Sequence, residues 1–415
     1  MEGKMGFLRI AGAVMLATAM GCLAGCGGSS GTKSIVVADC TNNRVMVFPD
    51  AFTTDESATV VLGQANATSN LFNQGLAAPT ASTLGNPYGV SELISGKDKG
   101  LLIVADANNC RVVAYKPPFT TGMAATSVIG EPNLTTANCL IGATATATSL
   151  FGPTSSVADS KGNLWVADVD DNRVLMYSNI KGDGTDAAAV VLGQTTTAGT
   201  GTFGCNRGGV APTAATVCEP WTVSLDSAGD LWVTDGDNSR VLEYVPVAGV
   251  FTTGQAASLV LGQAGPGTNI PGDTASTLDF PVAAAFDAHG NLWVADEDNS
   301  RVLEFVPPFA TGMSASLVLG QTKVDGTGTS GCNQGLAAPT AATLCDPAGL
   351  SFESNGDLVV SDEANQRVLT YKPPFATGMS ATLVFGHSVF TTGAVEATNP
   401  AANTFWNPIG LLSYR

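Results

Sequence analysis

A phrase of fifteen residues recurs six times along this chain, and that repetition constrains the fold more than any local feature does. The copies are "SIVVADCTNNRVMVF", "LLIVADANNCRVVAY", "NLWVADVDDNRVLMY", "DLWVTDGDNSRVLEY", "NLWVADEDNSRVLEF" and "DLVVSDEANQRVLTY". In each, an Asp (39, 106, 168, 235, 296, 362) precedes an Arg (44, 111, 173, 240, 301, 367) by five residues. The Arg-to-Arg steps are 67, 62, 67, 61 and 66 residues. Each phrase reads as two short strands around a polar hairpin.

Three further elements share the period. A short apolar strand ending in Gly follows each Arg strand ("VVLGQ" at 60–64, "LVLGQ" at 259–263), then a long connection, then a strand opened by Pro87, Pro153, Pro220, Pro281, Pro347 or Pro408. Tight turns such as "DSKGN" and "DAHGN" lead back to the phrase, with Gly free to take positive φ. Each unit is therefore four strands, a to d. "LWVA" is almost continuously apolar, as expected of a strand buried on both faces, and Trp165, Trp232 and Trp293 share one frame position between sheets. Four-stranded sheets stacked around an axis bury both faces as a β-propeller. The first unit lacks strand a, and "FWNPIGLLSYR" is a strand a with nothing after it. The fold expected is all-β: six four-stranded antiparallel blades, closed by the C-terminal strand joining the first.

The N-terminal segment reads differently. Lys4 and Arg9 precede the apolar run "IAGAVMLATAM", too short for a comfortable permanent span, and "LAGC" (Leu23 to Cys26) resembles the bacterial lipobox. The expected organisation is a signal peptide over 1–25, lipidation at Cys26, a flexible tether over 26–34 and a propeller over 35–415. This places the protein in a bacterial cell envelope, membrane-held through its lipid on the periplasmic or cell-surface side, at the outer membrane if the host is Gram-negative. Without residues 1–25 the chain keeps 18 − 2 = 16 basic and 35 − 1 = 34 acidic residues, a net charge of −18. Such a surface repels nucleic acid, which is not an expected partner.

The Pro strand, the "VADxxNxRV" hairpin and the terminal closure resemble the NHL-repeat family over roughly residues 35–414. The resemblance implies the six-bladed propeller, and a monomer is expected. It does not imply one activity, because relatives include sensor domains, protein- or RNA-binding modules and metal-dependent lyases.

The b–c hairpins and the d-to-a connections fall on one face. The connections run 17 to 25 residues and total 130, long enough to form a canopy over that end of the ring. Six Asp/Arg pairs at six azimuths suit pinned hairpins rather than one catalytic centre. The corners "DVDDN", "DGDNS" and "DEDNS" resemble calcium loops only loosely. Three connections share a phrase, "CNRGGVAPTAATVCEP", "CNQGLAAPTAATLCDP" and "FNQGLAAPTASTLGNP"; the first two carry Cys at both frame positions and the third at neither. Joint presence or absence predicts disulfides Cys205–Cys218 and Cys332–Cys345, with Cys110–Cys139 as a third and Cys40 left over. No CxxC spacing supports a zinc site.

His289 and His387 occupy ordinary repeat positions, so no histidine base is assigned, and no catalytic residue is. The residues before the six prolines (Asn86, Gly152, Glu219, Phe280, Asp346, Asn407) should ring the channel mouth. Oxygen donors from Asn86, Glu219, Asp346 and Asn407 are candidate ligands for Ca²⁺. The layout resembles gluconolactonase-like propellers, which implies axial carboxylates and amides on a divalent ion. Two functions follow: a noncatalytic envelope-anchored module binding a protein, peptide or glycan on its loop face, or a metal-dependent hydrolase or lyase at the axial mouth.

Overall fold

The computed structural model describes residues 34–48, 53–96, 98–139, 145–197, 204–328, 331–393 and 400–414. The signal segment, Cys26 and most of the tether lie outside the described residues. Six four-stranded antiparallel sheets form the fold, and among the described residues the only helical elements are short 3₁₀ turns.

Strand a is Pro408–Tyr414 in the first blade, then Pro87–Glu92, Pro153–Ala158, Pro220–Leu225, Pro281–Phe286 and Pro347–Phe352 in blades 2 to 6. Strand b runs from Ser34–Asp39 to Leu358–Asp362 and strand c from Arg44–Phe48 to Arg367–Tyr371, with a three-residue strand d at each rim. Each strand a neighbours the strands a of the blades on either side, so six of them ring an axis. Closure is as expected: Pro408–Tyr414 pairs antiparallel with Ser34–Asp39, and Ser34, expected in the tether, already faces Tyr414. The innermost strands approach closely enough to require glycine: a Cβ on Gly349 would run into the carbonyl oxygen of Ile409.

Strands b and c are buried along nearly their whole length because sheets cover both faces. Trp165, Trp232 and Trp293 are fully buried, as their shared frame position suggests. Each meets a Phe from the next blade's c–d connection edge-on: Phe251 at 4.7 Å, Phe309 at 5.0 Å and Phe375 at 4.8 Å between ring centroids. These T-shaped pairs plug three blade seams.

The Asp–Arg pairs do more than pin hairpins. All twelve side chains are buried, with Nε–Oδ2 distances of 2.6–2.8 Å. The second oxygen of each Asp accepts a backbone N–H two residues before the same blade's proline, from Gly85, Phe151, Cys218, Asp279, Cys345 or Trp406, at 2.6–2.7 Å. Each Arg donates onward to carbonyls of the canopy, as Arg111 does to Thr83 and Leu134. Burial pushes the Asp39 carboxyl up, and Arg44, the Trp406 N–H and the Asn42 amide pull it back. One ion pair per blade thus fixes the start of strand a and the loops above it.

Candidate axial site

The six residues before the prolines all have left-handed backbone, with φ from 48° at Asn86 to 80° at Gly152. Their geometry is set by the previous blade's hairpin: the Asn43 Oδ1 accepts the Asn86 N–H, Asn172 Oδ1 the Glu219 N–H, and Gln366 Oε1 the Asn407 N–H. Asn407 Oδ1 in turn accepts from Gln366 Nε2 at 3.0 Å. Their backbone N–H groups are thus satisfied by hairpin side chains, and they stand where strand a meets the loop face.

A cavity of about 910 Å³ runs along the axis between the six strands a. Asn86 and Asn407 line its loop-face end, together with Cys40, Glu297 and Glu363. The four residues expected to hold Ca²⁺ fall into different surroundings. Asp346 stands beside Ser300 and Asp298 and within electrostatic reach of Glu297 and Glu363, whereas Glu219 faces Asp237 and Asp170. Among the described residues, no three-carboxylate or Cys/His group that includes Glu219 or Asp346 comes within 4.8 Å.

Sequence reading missed the groups that dominate the mouth. Glu297 and Glu363 each follow the strand b Asp directly, where other blades have Cys40, Ala107, Val169 and Gly236. Burial pushes the Glu297 carboxyl up to about 8, with Glu363, Asp346 and Asp298 adding repulsion. Burial and then Asp346 raise Glu363 to about 7. The charged residues lining the cavity are Asp287, Glu297, Glu353 and Glu363; no Lys, Arg or His among the described residues lines it.

Aromatic rings share the same end. The residue after each strand-a proline points to the axis, and at Tyr88 and Trp221 it is large. Their centroids lie 5.7 Å apart, and Trp221 meets Phe280 at 5.9 Å. Gly236 makes room, since a Cβ there would stand 2.8 Å from Trp221 Cδ1. Tyr88 also hydrogen-bonds Cys40, whose buried thiol is pushed up by desolvation and so stays protonated. Comparing the six copies at the position after Asp and the position after Pro would have found all five residues.

The three expected disulfides are present: Cys205–Cys218 and Cys332–Cys345 with Cα atoms 4.5 and 4.2 Å apart, and Cys110–Cys139 at 5.4 Å. Cys40 is free and buried. Three disulfides fit an oxidising extracellular or periplasmic setting. Among the described residues no helix is long and apolar enough to cross a membrane. His387 replaces the Gln of other blades and does its work, with Nε2 3.1 Å from the Asn365 carbonyl where Gln194 bonds Asn172. His289 is exposed in its turn.

On the opposite face, Asp226, Asp230 and Glu243 bring carboxylate oxygens within 4.8 Å of one another. In the next blade, Asn291 stands at the place of Asp230 and donates to Asp287 and Glu304 at 2.9 and 3.1 Å.

The NHL repeat model matches residues 217–244 and 344–371, the strand-a-to-c portions of blades 4 and 6. No curated protein matches the chain. Similar solved structures include the periplasmic gluconolactonase of Pseudomonas aeruginosa, 14% identical, covering 92% of this chain and 98% of that one with a TM-score of 0.49. A streptogramin B lyase structure is 12% identical over 77% and 72% of the two chains, with a TM-score of 0.40. The WD40 β-propeller domain of Doa1 is 9% identical over 91% and 92%, with a TM-score of 0.46.

Proposed function

We propose that this NHL-repeat propeller is a noncatalytic binding module of the cell envelope, and that it takes a cationic group of a peptide or protein into the loop-face end of its axial channel. The observation that carries this is the composition of the channel: four carboxyl residues, no base, and the Tyr88 and Trp221 rings at the same mouth as Glu297 and Glu363. Ammonium and guanidinium groups gain from carboxylates and from aromatic faces together. A bound cation also favours ionised Glu297 and Glu363, which burial otherwise opposes.

The first strand b starts with Ser34 at the face opposite the canopy and ends with Asp39 at the hairpin. The tether reaches at most about 28 Å.

A panel of otherwise identical peptides bearing Lys or Arg against Glu, titrated while following Trp fluorescence, tests the reading. Lys and Arg peptides should bind and Glu peptides should not, with at least tenfold weaker binding for the Glu297→Gln, Glu363→Gln double variant. Preference for the Glu peptides, or indifference to the double substitution, overturns it. Fractionation of Cys26→Ser tests the anchor: release to the soluble fraction supports it, and unchanged membrane association refutes it.

The metal-dependent reading keeps one supporting observation, the gathering of Glu297, Glu363, Asp346 and Asp298 at the mouth. Calcium titration of the protein and of the Glu219→Ala, Asp346→Ala variant separates it, because only that reading expects saturable binding lost in the variant.

A further inference from the structure

The seam between blades 2 and 3 lacks the Trp–Phe plug that three other seams carry. At three seams a Trp three residues before the strand b Asp (Trp165, Trp232, Trp293) is covered by a Phe eleven residues before the next blade's strand d Gly (Phe251, Phe309, Phe375). Between blades 1 and 2, Val36 replaces Trp, but Phe119 remains and meets Tyr414 at 5.2 Å. Between blades 2 and 3, both rings are missing: Ile103 stands at the Trp position, and Lys181, three residues before the Gly184 whose N–H bonds strand d as those of Gly254, Gly312 and Gly378 do, stands at the Phe position.

The missing volume is not recovered by repacking. A cavity of about 420 Å³ lies at this seam, and Ile103 and Gly182 both line it. Leu93, Leu101, Ile129 and Leu164 wall it, and Ile180 supplies the nearest apolar substitute for the absent Phe. The connection carrying Gly182 cannot swing over the gap, because it is bonded to strand d of blade 2. The Val128 N–H donates to Gly182 O at 2.9 Å and the Gly184 N–H to Val128 O at 3.2 Å. The cavity opens at the a–b turns, between Gly96 and Gly162. Of the lysines at its edge, Lys161 donates to Gly249 O at 2.7 Å and Lys181 to Thr185 at 3.4 Å, so both are already engaged.

We propose that this seam is a binding site for a small uncharged aromatic molecule, which takes the place of the indole and phenyl rings that the other seams supply from within. The shape argument comes from the chain itself, since the same four-stranded walls close around a T-shaped indole–phenyl pair three times. The size falls in the range of small-molecule pockets, about 300–1,000 Å³. Its lining pairs that apolar wall with polar groups, Asp98, Asn163 and Asn179 among them, and an aromatic guest gains by covering the apolar part. The site is independent of the axial channel.

Indole titrated calorimetrically into the intact protein is the test. Saturable one-to-one binding is expected. Ile103→Trp, which restores the ring from within, should weaken it at least tenfold and raise the melting temperature. Ile180→Trp fills the same space from the open side and serves should Ile103→Trp fail to fold. Glu297→Gln with Glu363→Gln should leave indole binding unchanged, so failure at the axial mouth and failure at this seam remain distinct. The proposal is overturned if the native protein shows no saturable binding, if a folded filling variant binds as well, or if 1-hexanol binds where indole does not.

Discussion

Tyr88 of blade 2 and Trp221 of blade 4 bring their rings to 5.7 Å although an entire blade stands between them in the ring. The intervening frame position is Thr154, too small to separate them, and its hydroxyl donates to the Trp221 carbonyl at 2.7 Å. The two rings bridge one side of the channel mouth, and the buried glutamates occupy positions on blades 5 and 6. Trp221→Ala should therefore weaken binding of Lys and Arg peptides by roughly 2- to 30-fold, the span of about 0.5–2 kcal/mol for a cation on an aromatic face. The melting temperature should fall as well, because Trp221 packs against Phe280 and the core beside it, so affinity is compared on protein that is folded at the assay temperature. Equal affinity of native and variant protein would remove the ring from the site.

Glu297 and Glu363 give stability a definite pH dependence. Their carboxyls sit at about 8 and about 7 in the folded protein, above their ordinary 4.5, so the native state holds protons that the unfolded chain releases. Their contribution is fully present below about 4.5 and is lost as pH rises through 7 to 8. Melting temperature should fall between pH 5 and pH 8, and the fall should be shallower in the Glu297→Gln, Glu363→Gln variant. A variant slope as steep as the native one would show that these two groups do not carry the effect.

The Asp–Arg clamps should be among the most sensitive positions. Asp362→Ala strands the buried Arg367 and frees the Cys345 N–H from its acceptor at 2.7 Å. Breaking a buried pair by removing one partner costs about 3–5 kcal/mol. Denaturant titration should show that loss, and a cost below about 1 kcal/mol would mean the pair is replaceable.

The disulfides act on the canopy. Replacing both Cys332 and Cys345 by Ala should cost about 3 kcal/mol in the loop-closure account for a loop this size. Limited proteolysis should then cut first within 332–345 while the blades stay intact. Cleavage beginning in a blade would contradict a role confined to the loop.

The blades were legible because burial on two faces writes the same apolar strands six times, and closure showed in the unpaired terminal strand. Cys205–Cys218 and Cys332–Cys345 were legible because their cysteines come and go together in one repeated phrase, and Cys110–Cys139 because both fall on the loop face. Glu297, Glu363, Tyr88 and Trp221 were not singled out, since each is one departure at a repeat position whose place on the axis appears only when the blades are stacked. Asn86 and Asn407 line the cavity as expected, but the ring of residues before proline mostly completes turns. The seam cavity was hidden for a similar reason: Ile103 and Lys181 are 78 residues apart and become a joint absence only across an interface.

The carboxylate trio of blade 4 makes the last prediction. Asp230 stands where blade 5 has Asn291, whose amide bonds both neighbouring carboxylates, and Glu243 is pushed up to about 6 by burial and then by Asp230 and Asp226. Asp230→Asn replaces a repelling group by one that donates. It should raise the melting temperature above pH 6, where Glu243 ionises against its neighbours, and do little near pH 4, where that carboxyl is protonated in either variant. The Glu243 carboxyl should titrate closer to its ordinary value in the variant, as followed by NMR. If added Ca²⁺ instead stabilises the native protein and the substitution abolishes that gain, the trio serves a cation, and the missing Asn is what makes room for it.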